Sequence, residues 1–373
     1  MNKIKDQSNW IVRPTIDPEK MIYYFRPNGK LYWNEPEEIS NGKEKPYTSK
    51  KFIPNAPFRA YFDFTYRCNL ECRHCITSSS SKKDISQELS TNRILGIISE
   101  LAQIGVMEIQ TGGGEPFIHP HWEKIYQYVV DQGLNIIITT NGQLINSNII
   151  NKLKQINPIE VRVSFDGGST MHDHIRGENS YLKALRGTKL LVESGLNITV
   201  RLTLCGDKDE EIPILFNDIS KLGIDNVKIA LIKSSGRAAE KSGQHLLRFQ
   251  TKIQDVNWLT ELGKSYNMNI QLSADDFPVT VEEANDPKLR YMKRCNCGAG
   301  FETAYISPYG ELLGCVTIPS IKFGILKEKK FMDAWQSHIS ETYRNLAIKS
   351  NEWRICDACM ECDKDSIAAT NDI

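Results

Sequence analysis

Three cysteines stand close together in "TYRCNLECRHC" (65–75), at Cys68, Cys72 and Cys75, spaced C-x3-C-x2-C. Thiolates are soft ligands that suit zinc and iron–sulfur clusters. A structural zinc site wants four protein ligands, and three thiolates leave one position open. His74 lies between two of them and is poorly placed to reach the same metal. The spacing is also not that of paired zinc ligands, so it favours an iron–sulfur cluster. Zinc with a distant fourth ligand, His74 or Cys205, remains the alternative. Cys295, Cys297, Cys315, Cys356, Cys359 and Cys362 form a second group. In a reducing compartment such clustering points to metal ligation before disulfides.

Other segments offer chemistry of their own. "TGGGEP" (111–116) joins a glycine backbone, able to approach a ligand closely, to the carboxylate of Glu115. "TTNG" (139–142) supplies hydroxyl and amide groups, including Asn141. "SFDGG" (164–168) and "MHDHIRG" (171–177) supply the Ser164 hydroxyl and the Arg176 fork, which suits a carboxylate. Each alone reads equally well as ordinary turn chemistry.

The elements that position these residues follow from periodicity. Strand patterns occupy 59–66, 107–113, 134–142, 159–168, 196–206 and 225–236. Amphipathic helix patterns separate them at 91–105, 121–132, 146–156, 180–194 and 210–222, and 248–266 reads as a closing helix. Such alternation builds a parallel sheet, as an open partial barrel or a doubly wound sheet. In both, functional groups gather where strands end. All four segments lie at such ends. Residues 1–55 read as a β-hairpin extension around Asn28-Gly29, 56–275 as the barrel, and 276–373 as a cysteine-rich α+β domain. That last domain has a hairpin at 303–315 and one helix at 329–347.

C-x3-C-x2-C after the first strand, G-G-E-P after the second, T-N-G after the third and S-x-D-G with H-D-x-x-R-G after the fourth resemble the radical S-adenosylmethionine (radical SAM) superfamily. The T-N-G and S-x-D-G segments, with H-D-x-x-R-G, resemble its subgroup with C-terminal SPASM or twitch domains, and the resemblance covers roughly residues 56–365. The resemblance implies an α/β fold with a partial (β/α)6 TIM-like barrel. It also implies a [4Fe–4S] cluster on Cys68, Cys72 and Cys75, with S-adenosylmethionine on the open iron. Gly113, Gly114, Glu115 and Pro116 would then hold the methionine amino group, and Ser164 and Arg176 its carboxylate. Asn141 would lie in the same cofactor-binding rim, while His74, Ile229 and Leu231 would lie near the adenine. "GELLGC" (310–315) fits the G-x4-C element of the C-terminal domains. One auxiliary [4Fe–4S] cluster would be held by Cys297, Cys315 and two of Cys356, Cys359 and Cys362. Two clusters, with Cys295 included, remain open, and zinc remains an alternative there too. Cys205, at the end of the fifth strand, reads as a small buried residue, or as a hydrogen-atom donor of the kind found in radical peptide epimerases.

Lys plus Arg (46) equals Asp plus Glu (46), so no overall field draws nucleic acid or an anionic membrane. No apolar run suits a membrane span or signal peptide, and a cytoplasmic location is expected. The resemblance implies reduction by a flavodoxin or ferredoxin. It also implies a peptide substrate that receives a crosslink or other oxidative change. A radical dehydrogenase acting on a small metabolite, of aminocyclitol or tetrapyrrole type, is the second reading. A non-catalytic zinc or electron-transfer protein is the third.

Overall fold

The computed structural model describes residues 6–7, 10–14, 21–25, 30–32, 56–205, 210–240, 253–272 and 298–349. The N-terminal extension is larger than a hairpin. Strands β1 (Asp6–Gln7), β2 (Trp10–Pro14), β3 (Met21–Phe25) and β4 (Lys30–Tyr32) form a four-stranded antiparallel sheet in chain order. β3 and β4 are the expected hairpin; the Asn28-Gly29 turn lies outside the described residues. The missed signal is "WIVRP", a short β-rich run that pairs with β3 from Trp10↔Phe25 to Pro14↔Met21.

The main sheet begins with β5 (Arg59–Phe62), β6 (Glu108–Thr111), β7 (Asn135–Thr140), β8 (Glu160–Phe165), β9 (Ile198–Leu204), β10 (Asn226–Leu231) and β11 (Asn269–Leu272). These seven strands are parallel and lie side by side in chain order. A doubly wound sheet would reverse its order at a switch point. The unbroken order is that of an open partial barrel. Ile109, Ile138, Val161, Val163, Val200, Leu202, Val227 and Ile229 are fully enclosed, as expected of parallel strands covered by helices. The covering helices are α1 (Thr91–Gln103), α2 (Trp122–Asp131), α3 (Ser147–Ile156), α4 (Ser169–Arg176), α5 (Ser180–Glu193), α6 (Glu211–Lys221) and α7 (Ile253–Ser265).

Two features depart from the expected six units. β11 adds a seventh strand after α7, paired with β10 from Asn226↔Asn269 to Ile229↔Leu272. Its residues are exposed or half-buried at the sheet edge, so it lacks the apolar run that marks the central strands. At the other edge, β12 (Thr303–Ile306) pairs in parallel with β5, followed by antiparallel β13 (Glu311–Leu313) and β14 (Lys322–Ile325). The C-terminal hairpin therefore extends the barrel sheet, and its residues Ala304, Ile306, Leu312 and Phe323 belong to the same hydrophobic core. The expected boundary at 275/276 lies outside the described residues.

The single helix expected over 329–347 is two, α8 (Phe331–Trp335) and α9 (His338–Lys349). Ser337 breaks it, its Oγ accepting the Ser340 amide at 3.3 Å as an N-cap does. Arg93 of α1 ties this region to the barrel. Its Nε donates to the Leu326 carbonyl at 2.6 Å, its Nη2 to that of Lys329 at 2.7 Å, and its Nη1 to Glu100 at 2.7 Å.

Gly187 in the middle of α5 lets that helix touch the turn after β7. A Cβ there would lie 1.9 Å from the Gly142 carbonyl oxygen. Alanine in a helix interior normally stabilises by about 1 kcal/mol over glycine. Here Gly187→Ala is expected to destabilise by about 1–3 kcal/mol through overpacking, read as a lower Tm. An unchanged or raised Tm would show the contact to be looser than this.

Candidate functional site

The cysteine loop leaves the C-terminal end of β5 and is anchored by its backbone. The Cys68 amide donates to the Ser80 carbonyl at 3.1 Å, and the Arg73 amide to that of Ile175 at 2.9 Å. Glu88 accepts from the Thr65 hydroxyl at 3.0 Å and the Tyr66 amide at 2.8 Å. Cys68 and Cys72 are buried and Cys75 half-buried. Two sulfurs already receive backbone N–H donors, Cys68 from Leu70 at 3.4 Å and Cys75 from Ser79 at 3.3 Å. Burial pushes the Cys68 thiol up to about 12, with the nearby Glu115 and the other two thiols adding to the rise. Cys72 is pushed up to about 11 by burial, and Arg176 and Arg237 oppose the rise. As free groups these thiols stay protonated, so metal binding must displace their protons.

"TGGGEP" lies directly against this loop. The Gly114 amide donates to the Thr65 carbonyl at 3.0 Å and the Glu115 amide to that of Arg67 at 2.9 Å. A Cβ on Gly114 would meet the Arg67 oxygen at 2.0 Å. Gly113 has φ +70°, and its Cβ would fall 2.7 Å from Asp63. The glycines therefore admit the cysteine loop's own backbone. Pro116 opens the short 3-10 turn Pro116–Ile118. The Glu115 carboxylate is buried and holds the next turn. Oε1 accepts from the Thr140 hydroxyl at 2.8 Å and Oε2 from the Asn141 amide at 2.9 Å. Asn141 reaches back with Nδ2 to Asn69 Oδ1 at 2.9 Å, and lies 3.9 Å from the Cys68 sulfur.

Arg176, expected to be a fork for a ligand carboxylate, is committed within the protein. Its Nε and Nη2 donate to Asp166 at 2.5 and 3.0 Å, and His74 Nε2 lies 2.9 Å from the same carboxylate. Arg176 and His74 hold the buried Asp166 far below the usual carboxylate range, against its burial. "MHDHIRG" is the helix α4, which sequence periodicity did not reveal. Asp173 accepts from the Tyr181 amide at 2.7 Å and the Ser180 hydroxyl at 3.0 Å, capping α5. His172 is enclosed between the Phe165 and Tyr181 rings, and burial lowers it to about 3. Cys205 is buried against Met171, Ile175, Ile232 and Ala238. Ligand atoms of Cys205, His74 and Asp166 lie within 4.8 Å of one another. Burial holds the Cys205 thiol well above its usual value.

Ser164 is half-buried near the end of β8, and Leu231 half-buried at the end of β10, while Ile229 is enclosed in the core. Cys315 follows β13 and lies 3.0 Å from the Thr317 hydroxyl. Cys295, Cys297, Cys356, Cys359 and Cys362 lie outside the described residues.

Two contributors had no site role assigned from the sequence, although "SSGRAAEKSGQ" (234–244) resembles a G-R-A segment found after the sixth strand in several radical SAM subgroups. "GRA" (236–238) grips the cysteine loop. The Arg237 side chain donates Nε to the Cys72 carbonyl at 2.7 Å and Nη2 to that of Ser79 at 2.8 Å, and its amide donates to Cys75 at 3.0 Å. A Cβ on Gly236 would lie 2.3 Å from the Cys75 oxygen. Asp63 accepts from the Gly112 amide at 3.2 Å and from the Tyr305 hydroxyl, which lies 3.1 Å from the Tyr66 hydroxyl. Burial pushes Asp63 up to about 6. A Gly-Arg pair after a strand, and an Asp five residues before a cysteine, were the available signals.

The family model of the radical SAM superfamily matches residues 62–219, and that of the SPASM iron–sulfur cluster-binding domain matches 295–363. The chain is a radical SAM protein with a C-terminal SPASM domain. Its cofactors are accordingly a [4Fe–4S] cluster, S-adenosylmethionine and auxiliary iron–sulfur. The AdoMet-dependent heme synthase of Methanosarcina barkeri is 26% identical over 340 residues, spanning 86% of this chain and 95% of that one. The mycofactocin maturase MftC of Mycobacterium tuberculosis is 26% identical over 313 residues, spanning 83% and 76%. Streptococcus suis SuiB, solved with S-adenosylmethionine, shares the fold at TM-score 0.71 and 16% identity over 95% of this chain and 94% of its own. The donor set fits a cluster: three thiols on one loop close enough to repel one another when ionised, two of them receiving backbone N–H groups. Among the described residues, no helix is long and apolar enough to cross a membrane.

Glu115 carries a pH prediction. Burial pushes its carboxyl up to about 7, despite the Asn141 and Thr140 donors that favour the charge. The folded state therefore holds this proton more tightly than the unfolded state. The associated stability is present at low pH and lost as pH rises from about 4.5 through 7. In the iron-free protein, Glu115→Gln should reduce the loss of unfolding free energy between pH 5 and 8 by up to roughly 3 kcal/mol. Denaturant titrations at both pH values measure it; equal losses in the two proteins would refute the assignment.

Proposed function

We propose that this protein matures a ribosomally made peptide by radical chemistry, forming a crosslink or another oxidative change at an unactivated carbon. The observation that carries the reading is the three-thiol loop, clamped at the strand ends of an open barrel. Cys68, Cys72 and Cys75 would hold three irons and leave the fourth to S-adenosylmethionine. When bound, these cofactors supply a 5′-deoxyadenosyl radical by one-electron cleavage of the sulfonium. The chain's own residues bind and orient. The backbone of Gly113–Gly114–Glu115–Pro116 is the candidate holder of the methionine amino group, and Ser164 of its carboxylate. Arg176, given its two bonds to Asp166, supports the loop from behind in this assignment. Leu231 offers an apolar surface for the adenine. A reductant such as flavodoxin or ferredoxin would supply the electron.

Two comparisons support a peptide over a metabolite. MftC is a maturase, and SuiB has been solved bound to its precursor peptide SuiA. The SuiB likeness leaves about 5% of this chain uncovered, fewer residues than the 55 of the N-terminal extension, so it reaches into the four-stranded sheet. The similarity to a heme synthase keeps a small-metabolite reading, of tetrapyrrole type, as the second.

Anaerobic reconstitution with iron and sulfide, followed by dithionite and S-adenosylmethionine, should yield 5′-deoxyadenosine. Cys72→Ala should abolish it, and survival of that activity would refute the ligand assignment. Co-expression with short peptides encoded beside the gene, read by mass spectrometry, should reveal a peptide altered in mass. Conversion of a porphyrin with no change in any peptide would favour the metabolite.

A further inference from the structure

Two guanidinium groups lie beside the cysteine loop, and they differ in one respect. Arg176 is neutralised by Asp166, through two hydrogen bonds. Arg237 forms no ion pair among the described residues. Its donors go to the carbonyls of Cys72 and Ser79, both within the cysteine loop. Its guanidinium is half-buried and held against the loop by these bonds, with the Gly236 backbone packed on the Cys75 carbonyl. A fixed cation beside a cluster favours the more negative, reduced state. At an effective dielectric of about 20, one charge several ångströms away still shifts an equilibrium by about tenfold or more.

We propose that Arg237 is a positioning residue that also sets the potential of the iron–sulfur group on Cys68, Cys72 and Cys75, as a half-buried cation held on the loop's own carbonyls with no carboxylate partner among the described residues. This rests on the radical SAM assignment. The single electron comes from an external reductant, and the cluster gains it without any bond being made or broken.

The test is redox titration of the reconstituted protein without S-adenosylmethionine, with the reduced cluster counted by electron paramagnetic resonance and normalised to bound iron. Cys315→Ala in the same background helps separate the auxiliary signal. At a fixed applied potential, Arg237→Gln should lower the reduced-to-oxidised ratio about tenfold, which for one electron is 59 mV. Arg237→Lys, which keeps the charge, should stay within about twofold of the wild type. Equal ratios in wild type and Arg237→Gln would overturn the proposal, as would an equal fall in Gln and Lys variants, since the effect would then be the loss of the fork alone. If Arg237→Gln loses its iron, Arg237→Lys decides: an unchanged ratio upholds the proposal and a tenfold fall overturns it. A wild-type protein that assembles no cluster on the three cysteines would instead overturn the radical SAM assignment itself.

Discussion

The structure depends on fixing a loop that has almost no secondary structure of its own. A cluster-binding loop must present its sulfurs inward, so its carbonyl and amide groups need partners elsewhere. They find them on neighbouring strand ends: Gly114 and Glu115 after β6, Ile175 at the end of α4, and Arg237 after β10. Three glycines make the approach possible. A side chain on Gly113, Gly114 or Gly236 would occupy the space now filled by the loop or by the Asp63 beneath it.

Several residues that read as chemistry from the sequence prove to build the frame. Glu115 closes the turn after β7, and Arg176 and His74 share Asp166. Charge pairs of this kind are costly to bury singly and become tolerable only when each partner is satisfied. In the proposed assignment the backbone rim, Ser164 and Leu231 are then the candidate contacts for S-adenosylmethionine.

Beyond the pairing of β12 with β5, side chains also join the C-terminal region to this frame. Asp63 and Tyr305 bridge β5 and β12 directly beneath the cysteine loop, and Arg93 ties α1 to the chain after β14. A continuous core passes through both parts. A shift of the C-terminal hairpin is therefore mechanically linked to the Gly112 amide that Asp63 holds.

Much of this was legible in the chain. Alternating strand and helix patterns determined the parallel sheet, and C-x3-C-x2-C determined a three-thiol site, because both depend on residue spacing along a local run. The sheet order chose the open barrel over a doubly wound sheet. β11, an edge strand without an apolar run, and the parallel pairing of β12 with β5 came only from tertiary structure, since the local sequence marks neither. The same holds for Arg176 and Arg237. One arginine was expected to meet a ligand and meets Asp166, and the other, noted only as part of a G-R-A segment with no role, holds the cysteine loop. A guanidinium's partner is set by which groups folding brings within 3 Å, and positions more than a hundred residues apart, such as Cys72 and Arg237, meet only when the barrel forms.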